Sequence, residues 1–316
     1  MEHKVKAGII GAAVGDALGV PAEFMTREQL RAAPVTDMIG GRLFVHDQPI
    51  GTWSDDTSLT LCLLDSLGSE GLDYTDIMNR FLSWIDGGEY TAGGGVFDYG
   101  NTTRAALARF ERGTDPRSCG GTDEADIGNG SLMRILPIAF YLHSRFGAGF
   151  MQYPAAFEII HDLSSLTHAH DRCKIACGIY IAIAGYLLND NDPDKQVAVS
   201  QGCDSALAIY KDWEEFDCYA RLYAEDFAEL PEAAIGSSGY VVDTLEAAIW
   251  CLLTTDDYSS AVLKAVNLGG DTDTVAAVTG GLAGLLYGYE AIPTNWRESL
   301  ARLEYIEELC SRRMKA

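Results

Sequence analysis

Two short acidic clusters, far apart in the chain, carry the residue types best suited to binding a hard metal cation. The first is Ser54-Asp55-Asp56-Thr57 and the second is Asp271-Thr272-Asp273-Thr274. Each cluster follows glycine by a few residues and precedes an apolar segment with helical character. Carboxylate and hydroxyl oxygens are the ligands that Mg²⁺ prefers. If the fold brings the clusters together, they would form a site for one or two magnesium ions.

Helix capping is the alternative interpretation of either cluster alone. Asp, Ser and Thr at the start of a helix accept hydrogen bonds from free backbone amides. Asp55 and Asp56 are adjacent and would point about 100° apart on a helix, so they can serve two neighbouring ions or two sides of one. The second cluster lacks the loop glycine and the closing glutamate of an EF-hand. Two such clusters, each beside a glycine-rich turn, favour cation binding over capping alone.

Three further segments contain candidate functional residues. Glu23 follows Pro21 at the end of an apolar helix, where a constrained turn would enclose a carboxylate suited to acid–base chemistry; a solvated surface glutamate is the alternative. The turn Gly128-Asn129-Gly130-Ser131 resembles backbone nests that hold phosphates, but it is neither a Walker loop nor a dinucleotide fingerprint. His168 and His170 suit a metal site or, more commonly, hydrogen bonding and capping.

Composition limits the classes of partner. The chain has 316 residues, is 47% hydrophobic and carries a formal net charge of −23. An acidic surface argues against non-specific binding to nucleic acid or to anionic membranes. A phosphorylated ligand would therefore bind through metal ions and backbone amides. The eight cysteines form no CxxC pair, which predicts free buried thiols, and the N-terminus has no apolar signal core, so we expect a cytoplasmic protein.

The hydrophobic pattern is helical almost throughout, and alternation typical of strands is scarce. We therefore predict an all-α fold with one domain over residues 1–316, with surface loops at 31–54 and 113–130. Residues 5–19 and 274–288 contain glycines at spacings of three and four, which predicts two closely packed core helices; the first is too short an apolar run to span a membrane. The other predicted helices are 57–67, 75–85, 101–111, 155–166, 171–188, 203–212, 241–253, 259–267 and 295–313.

Taken together, these elements resemble the ADP-ribosylglycohydrolase family, which includes the dinitrogenase reductase-activating type. The resemblance covers nearly the whole chain, and the pair SDDT and GGDTDT at this separation is its most specific part. The matching segments are GAAVGDALGVPAEF (11–24), GTWSDDTSLT (51–60), VFDYGNTT (96–103), GNGSLMR (128–134), THAHD (167–171) and NLGGDTDTVAA (267–277).

The resemblance implies a single, orthogonal multi-helix all-α domain with a two-magnesium centre in a cleft, Mn²⁺ being a possible substitute. It implies that Glu23 is a mobile glutamate near the reacting ribose, that Asp98 lies beside that ribose, and that His168 approaches the ADP-ribose. The turn Gly128, Asn129, Gly130 and Ser131 would hold phosphate or ribose. The implied metal ligands are Ser54, Asp55, Asp56, Asp271, Asp273 and Thr274.

The implied activity is magnesium-dependent hydrolysis that removes ADP-ribose from modified protein side chains, by a protein expected to be a monomer. FDYGNTT resembles the arginine-directed branch, so an arginine linkage is favoured. Ser54 replaces a threonine found in some members, and Tyr99 stands where isoleucine is frequent; neither change removes an oxygen ligand. The alternatives are an ADP-ribose-binding or crystallin-like protein without turnover, or a magnesium hydrolase of serine-linked ADP-ribose, O-acyl-ADP-ribose or a phosphate ester.

Overall fold

The fold is all-α, as the sequence predicts. A computed structural model describes residues 1–41, 43–189 and 193–312. Within these residues there are no strands, only three isolated β-bridges. The α-helices are α1 (Glu2–Gly19), α2 (Arg27–Ala32), α3 (Asp55–Ser69), α4 (Tyr74–Gly87), α5 (Asn101–Glu111), α6 (Pro137–Phe146), α7 (Pro154–Ser165), α8 (Asp171–Asn189), α9 (Lys195–Tyr210), α10 (Val241–Leu253), α11 (Tyr258–Asn267), α12 (Thr272–Tyr287), α13 (Thr294–Ser299) and α14 (Leu303–Ser311).

Helices α1 and α12 pack against each other backbone to backbone at the centre of the core. The glycines of the two predicted core helices allow the two backbones to approach this closely. A Cβ atom placed on Gly15 would lie 2.1 Å from the carbonyl oxygen of Ala276, and one on Gly11 would lie 2.4 Å from that of Gly280. No larger residue fits at such separations. The close approach extends along both helices and fixes their register.

The same contact joins the C-terminal end of α1 to the N-terminal end of α12. A Cβ on Gly19 would lie 2.3 Å from Cα of Asp273, and the hydroxyl of Thr272 donates to the carbonyl oxygen of Gly19 at 2.8 Å. The chain that leaves α1, including Glu23, therefore begins beside the second acidic cluster.

The expectation that the N-terminal apolar run is too short to cross a membrane was wrong. Residues 2–22 are long and apolar enough by length and composition. However, 94% of the apolar window is buried inside the protein, as in the core helix of a folded domain. Burial, rather than length, is the property that indicates a core helix here.

Several predicted helices differ from the structure: α2 was not predicted, and α9 begins at Lys195 rather than at residue 203. Helix α6 was not predicted, although Pro137 at its first turn is a typical start signal. The predicted helix 295–313 is divided into α13 and α14, and its last residue lies outside the described part. The helical path is interrupted near Arg302, whose φ of 51° is left-handed. The guanidinium of Arg302 donates to the carbonyl oxygen of Thr91 at 2.7 Å. A long-range contact of this kind leaves no periodic signal in the sequence.

The predicted loops are ordered by specific contacts. In the first, Asn267 exchanges hydrogen bonds with the backbone of Val35, and Asp37 accepts from the indole nitrogen of Trp296 at 2.5 Å. The second contains two short 3₁₀ turns, at Pro116–Ser118 and Glu124–Asp126. All eight cysteines are free thiols, and all but one are buried.

We predict that Gly15→Ala lowers the free energy of unfolding by about 3 kcal/mol or more, because the added methyl group forces α1 away from α12. Urea denaturation followed by circular dichroism measures the change. Gly87→Ala is the matched control, since the Cβ added at this helical glycine would meet only the Cγ of Glu89 at 4.0 Å. Equal stability of the two variants would contradict the role given to the α1–α12 contact.

Candidate metal centre and active site

The two acidic clusters meet in the fold. Asp56 lies in the first turn of α3 and Thr274 in the first turn of α12. The hydroxyl of Thr274 donates to Oδ2 of Asp56 at 3.1 Å. Both side chains are buried. The helix starts that carry the clusters therefore face each other across one site.

Capping explains part of the first cluster and little of the second. Ser54 is the N-cap of α3, and its hydroxyl oxygen accepts from the amide of Asp56. That hydroxyl also donates to Oδ2 of Asp56 at 3.0 Å. Asp271 occupies the N-cap position of α12 without a side-chain capping bond; its Oδ2 instead accepts from the side-chain amide of Asn129 at 2.7 Å. Most of the clustered carboxylates thus need another explanation.

Asp16, which sequence reasoning passed over as a candidate site residue, anchors the first cluster. Its Oδ1 accepts from the amide of Ser54 at 2.9 Å, and its Oδ2 accepts from the amide and the hydroxyl of Thr57 at 3.0 and 2.6 Å. Both oxygens are occupied, so Asp16 holds the start of α3 against α1. An acid within a buried, glycine-rich helix was the available signal.

Two buried carboxylate oxygens have no hydrogen-bond partner among the described residues, and they point to a cation. They are Oδ1 of Asp56 and Oδ2 of Asp273. Leaving such atoms unpaired is costly unless a cation or water satisfies them. Two groups of potential ligands, each with atoms within 4.8 Å of one another, share Asp273: one contains Asp16 and Asp56, the other Glu23 and Asp271. The donor set therefore fits a hard, oxygen-liganded cation.

The raised pKa values of the clustered carboxylates also indicate that a bound positive charge would stabilise the site. Burial, followed by repulsion from Asp16, raises the pKa of Asp56 well above its usual range, and burial with repulsion from Glu23 does the same to the pKa of Asp273. Burial and the neighbouring Asp56 likewise raise the pKa of Asp55. These groups resist being ionised together. A bound divalent cation would reverse that preference and favour the ionised forms.

A cleft of about 240 Å³ opens beside the acidic centre. Its floor carries carboxylates, and its walls carry the glycine turn and the start of α5. Asp56, Asp273 and Ser54 lie behind this surface. The residues that line the cleft are Glu23, Phe24, Asp55, Asp98, Gly100, Asn101, Thr102, Thr103, Gly128, Asn129, Gly130, Met133, His168, Gly239, Asp271 and Thr274.

Glu23 is enclosed, not solvated. Its Oε2 lies 2.6 Å from Nε2 of His46, a residue in the 31–54 loop that sequence reasoning did not identify. Burial, then the nearby Asp98 carboxylate, raises the pKa of Glu23 to about 10. The adjoining Phe24 has a φ of 62° and donates its amide to the carbonyl oxygen of Gly270 at 2.8 Å. A left-handed backbone at a non-glycine residue is a strained feature that often accompanies a functional site.

Asp98 lies beside Glu23 at the cleft mouth and also has a left-handed backbone, with a φ of 51°. Its Oδ1 is 3.9 Å from Nε2 of His46. Its side chain is 26% exposed, in contrast to Glu23. Glu23, Asp98 and His46 therefore form one group at the entrance, and His46 is the basic side chain paired with it among the described residues.

The predicted phosphate turn is held in place by its neighbours. The amide of Asn129 donates to the carbonyl oxygen of Gly239, and its side chain bridges Thr244 and Asp271. Among the described residues, the amides of Gly130 and Ser131 donate to no other group. Free amides in a turn of this kind suit an anionic oxygen. The turn thus lies between the acidic centre and the wall of the cleft.

Ser131 and His168 differ in how they face the cleft. The hydroxyl of Ser131 accepts from Ser164 at 2.9 Å in the core, and Ser131 is not among the residues that line the cleft. His168 lines the cleft, and its Nδ1 lies 2.9 Å from the hydroxyl oxygen of Thr167. Burial, then the charge of Arg134, lowers the pKa of His168 to about 3, so its ring is neutral near neutral pH.

We predict that Mg²⁺ raises the melting temperature of chelator-treated protein, because a cation relieves repulsion that exists only in the folded site. At about 100 times the dissociation constant the shift should be about 5 °C, measured by differential scanning fluorimetry. Asp56→Asn should abolish most of this shift.

The matched control is Asp65→Asn, a buried aspartate of the same helix that accepts from Arg80, Tyr90 and Arg312 instead. It should lower stability and keep the Mg²⁺ response. A full Mg²⁺ shift in Asp56→Asn would exclude the acidic clusters as the cation site.

Comparisons with known proteins identify the family. A sequence model of the ADP-ribosylglycohydrolase family matches residues 1–316. The chain is 35% identical over 307 residues to the ADP-ribosylarginine hydrolase Tri1 of Serratia proteamaculans, covering 97% of this chain and 77% of that protein. It is 30% identical to the ADP-ribosyl-[dinitrogen reductase] glycohydrolase of Rhodospirillum rubrum, covering 95% and 91% of the two chains.

A solved structure described as an ADP-ribosylglycohydrolase-related protein complex superimposes with a TM-score of 0.79 at 32% identity, covering 98% of this chain and 96% of the other. Members of this family are hydrolases that act on glycosidic ADP-ribose linkages. A match over the full chain, in both sequence and fold, shows that the protein belongs to the ADP-ribosylglycohydrolase family.

Proposed function

We propose that this protein is a magnesium-dependent hydrolase that removes ADP-ribose from arginine side chains of modified proteins. The observation that carries the proposal is the buried acidic centre beside a cleft, in a chain similar along its length to a hydrolase of ADP-ribosylarginine. The second relative, named for ADP-ribosyl-dinitrogen reductase, also acts on a modified protein. The arginine linkage follows from the first relative rather than from the site alone.

The cations are assigned to the two helix starts that meet at the centre. Two ions are proposed, as the family resemblance implies: Asp56 and Asp273 lie in one group of potential ligands, and Asp271 and Asp273 lie in the other. When bound, magnesium would supply Lewis-acid charge for the ribose hydroxyls and for a water molecule. The proposed ligands are Ser54, Asp55, Asp56, Asp271, Asp273 and Thr274.

The carboxylates at the cleft mouth suit glycosidic bond cleavage. Positive charge develops on the sugar in such reactions, and neighbouring carboxylates stabilise it. Glu23 is the best placed to transfer a proton, since it is enclosed and its pKa is raised, and Asp98 is the second candidate. The guanidine that leaves is strongly basic, so it departs protonated. A serine ether would need a proton donor even more.

The far part of the cleft suits the rest of ADP-ribose. The amide of Gly130, which has no other partner among the described residues, suits an anionic group, and His168 lines the same wall. The side chain of Asn129 bridges this wall to Asp271, so ligand binding and the acidic centre share one support. Together these contacts would place the diphosphate on the turn and the ribose against the carboxylates.

The experiment that tests the function is incubation with peptides carrying arginine-linked or serine-linked ADP-ribose, with and without Mg²⁺. We expect ADP-ribose release from the arginine-linked peptide only, and only with Mg²⁺, measured by liquid chromatography. Release from the serine-linked peptide or from O-acyl-ADP-ribose would support the alternative hydrolase. Tight binding of ADP-ribose without release would support the binding protein without turnover.

We predict that Glu23→Gln lowers kcat by about 10²- to 10⁴-fold while the dissociation constant for ADP-ribose is retained, because the amide fills the same space but cannot transfer a proton. Single-turnover kinetics and calorimetry measure the two quantities. Glu28→Gln is the control, since Glu28 is an exposed residue of α2. Loss of binding together with turnover would move Glu23 from proton transfer to positioning.

A further inference from the structure

A buried arginine lies behind the phosphate turn without an ion-pair partner among the described residues. Arg134 is fully buried, and within the part of the chain that the structure describes its Nε and Nη1 atoms have no hydrogen-bond partner. The ring of Phe81 lies 5.0 Å from the guanidinium. A buried charge without a carboxylate is costly to a fold. The hydrogen bonds that Arg134 does make therefore indicate which neighbouring groups the buried guanidinium holds in place.

One of these hydrogen bonds goes to the carbonyl oxygen of Leu163, which accepts from Nη2 at 3.2 Å, and the other leads toward the cleft. Nη2 of Arg134 donates to the hydroxyl oxygen of Thr167 at 2.8 Å, and that oxygen lies 2.9 Å from Nδ1 of His168. A guanidinium can only donate, so the hydroxyl must accept from it. Among the described residues, Nδ1 is then the sole acceptor within reach of the hydroxyl proton. If Nδ1 carried a proton, the buried hydroxyl would lose its acceptor, which is unfavourable.

An accepting Nδ1 fixes the state of the ring. In a neutral imidazole the proton then resides on Nε2. Nε2 has no hydrogen-bond partner among the described residues and lies on the cleft side, 3.5 Å from where a Cβ on Gly128 would be. A Cβ on Gly130 would lie 2.7 Å from Cε1 of the ring, so the glycine keeps this edge accessible.

We infer that Arg134 and Thr167 are positioning residues that hold His168 as a neutral N–H donor directed into the cleft, toward a phosphate oxygen of ADP-ribose. The identity of the ligand rests on the proposed function, whereas the tautomer is a property of the free protein. An N–H donor on His168 would act beside the amide of Gly130, which has no other partner among the described residues, and both suit an anionic oxygen in an otherwise acidic site.

The tautomer is measured directly by long-range ¹H–¹⁵N correlation on ¹⁵N-histidine-labelled protein, with His168→Asn to assign the signals. We expect the Nε2–H form in the wild type. Thr167→Val, which removes the hydroxyl and keeps the shape, should lose that preference, and Thr167→Ser should restore it. A wild-type ring protonated on Nδ1 would overturn the inference without any variant, so misfolding of Thr167→Val leaves the test intact.

Calorimetry with ADP-ribose and Mg²⁺ tests the consequence. Thr167→Val should weaken ADP-ribose binding by about tenfold, which corresponds to the loss of one hydrogen bond. Thr167→Ser should bind ADP-ribose as the wild type does. Weaker binding with an unchanged tautomer would contradict the relay through Thr167, as would unchanged binding with an altered one. If the wild type shows the Nε2–H form but binds no ADP-ribose, the tautomer assignment stands and the proposed ligand fails.

Discussion

The backbone contact between α1 and α12 is the constraint on which the rest of the site depends. Because glycines face each other along both helices, Gly19 lies directly against Asp273. Asp16, one turn earlier in α1, then reaches the amides of α3 and brings Asp56 to the same place. One tight contact thus positions three chain segments that are distant in sequence. Without it the two acidic clusters would be ordinary helix starts.

The second property of the site is an excess of buried negative charge. Several carboxylates lie within a few ångströms of each other, and among the described residues one oxygen of Asp56 and one of Asp273 have no hydrogen-bond partner. The same residues stabilise helix starts, since Ser54 caps α3 while contacting Asp56. Capping and cation binding are therefore compatible roles of one arrangement. A divalent cation bound at this centre would reduce the repulsion between these carboxylates.

Much of this was accessible from sequence, for identifiable physical reasons. Paired acids beside glycine-rich turns predicted the meeting of the clusters, and glycine spacing predicted the α1–α12 contact. Asp16 was passed over because a single acid in an apolar, glycine-rich helix is a weaker signal than a pair of acids. His46 was passed over because only the path of the 31–54 loop brings it to Glu23. The break at Arg302 depends on a contact with Thr91, which no local signal encodes. Long-range polar contacts were the part that sequence did not predict.

Anomalous diffraction from crystals grown with Mn²⁺ tests whether the two acidic clusters form one metal centre. Mn²⁺ can replace Mg²⁺ at oxygen ligands and is located by its anomalous scattering. We expect two anomalous difference peaks, each for an Mn²⁺ ion that has Asp273 as a ligand, and one of these ions should also contact Asp56. Peaks only at the entrance group of Glu23, His46 and Asp98, or no ordered Mn²⁺ at all, would contradict a metal centre assembled by the two acidic clusters.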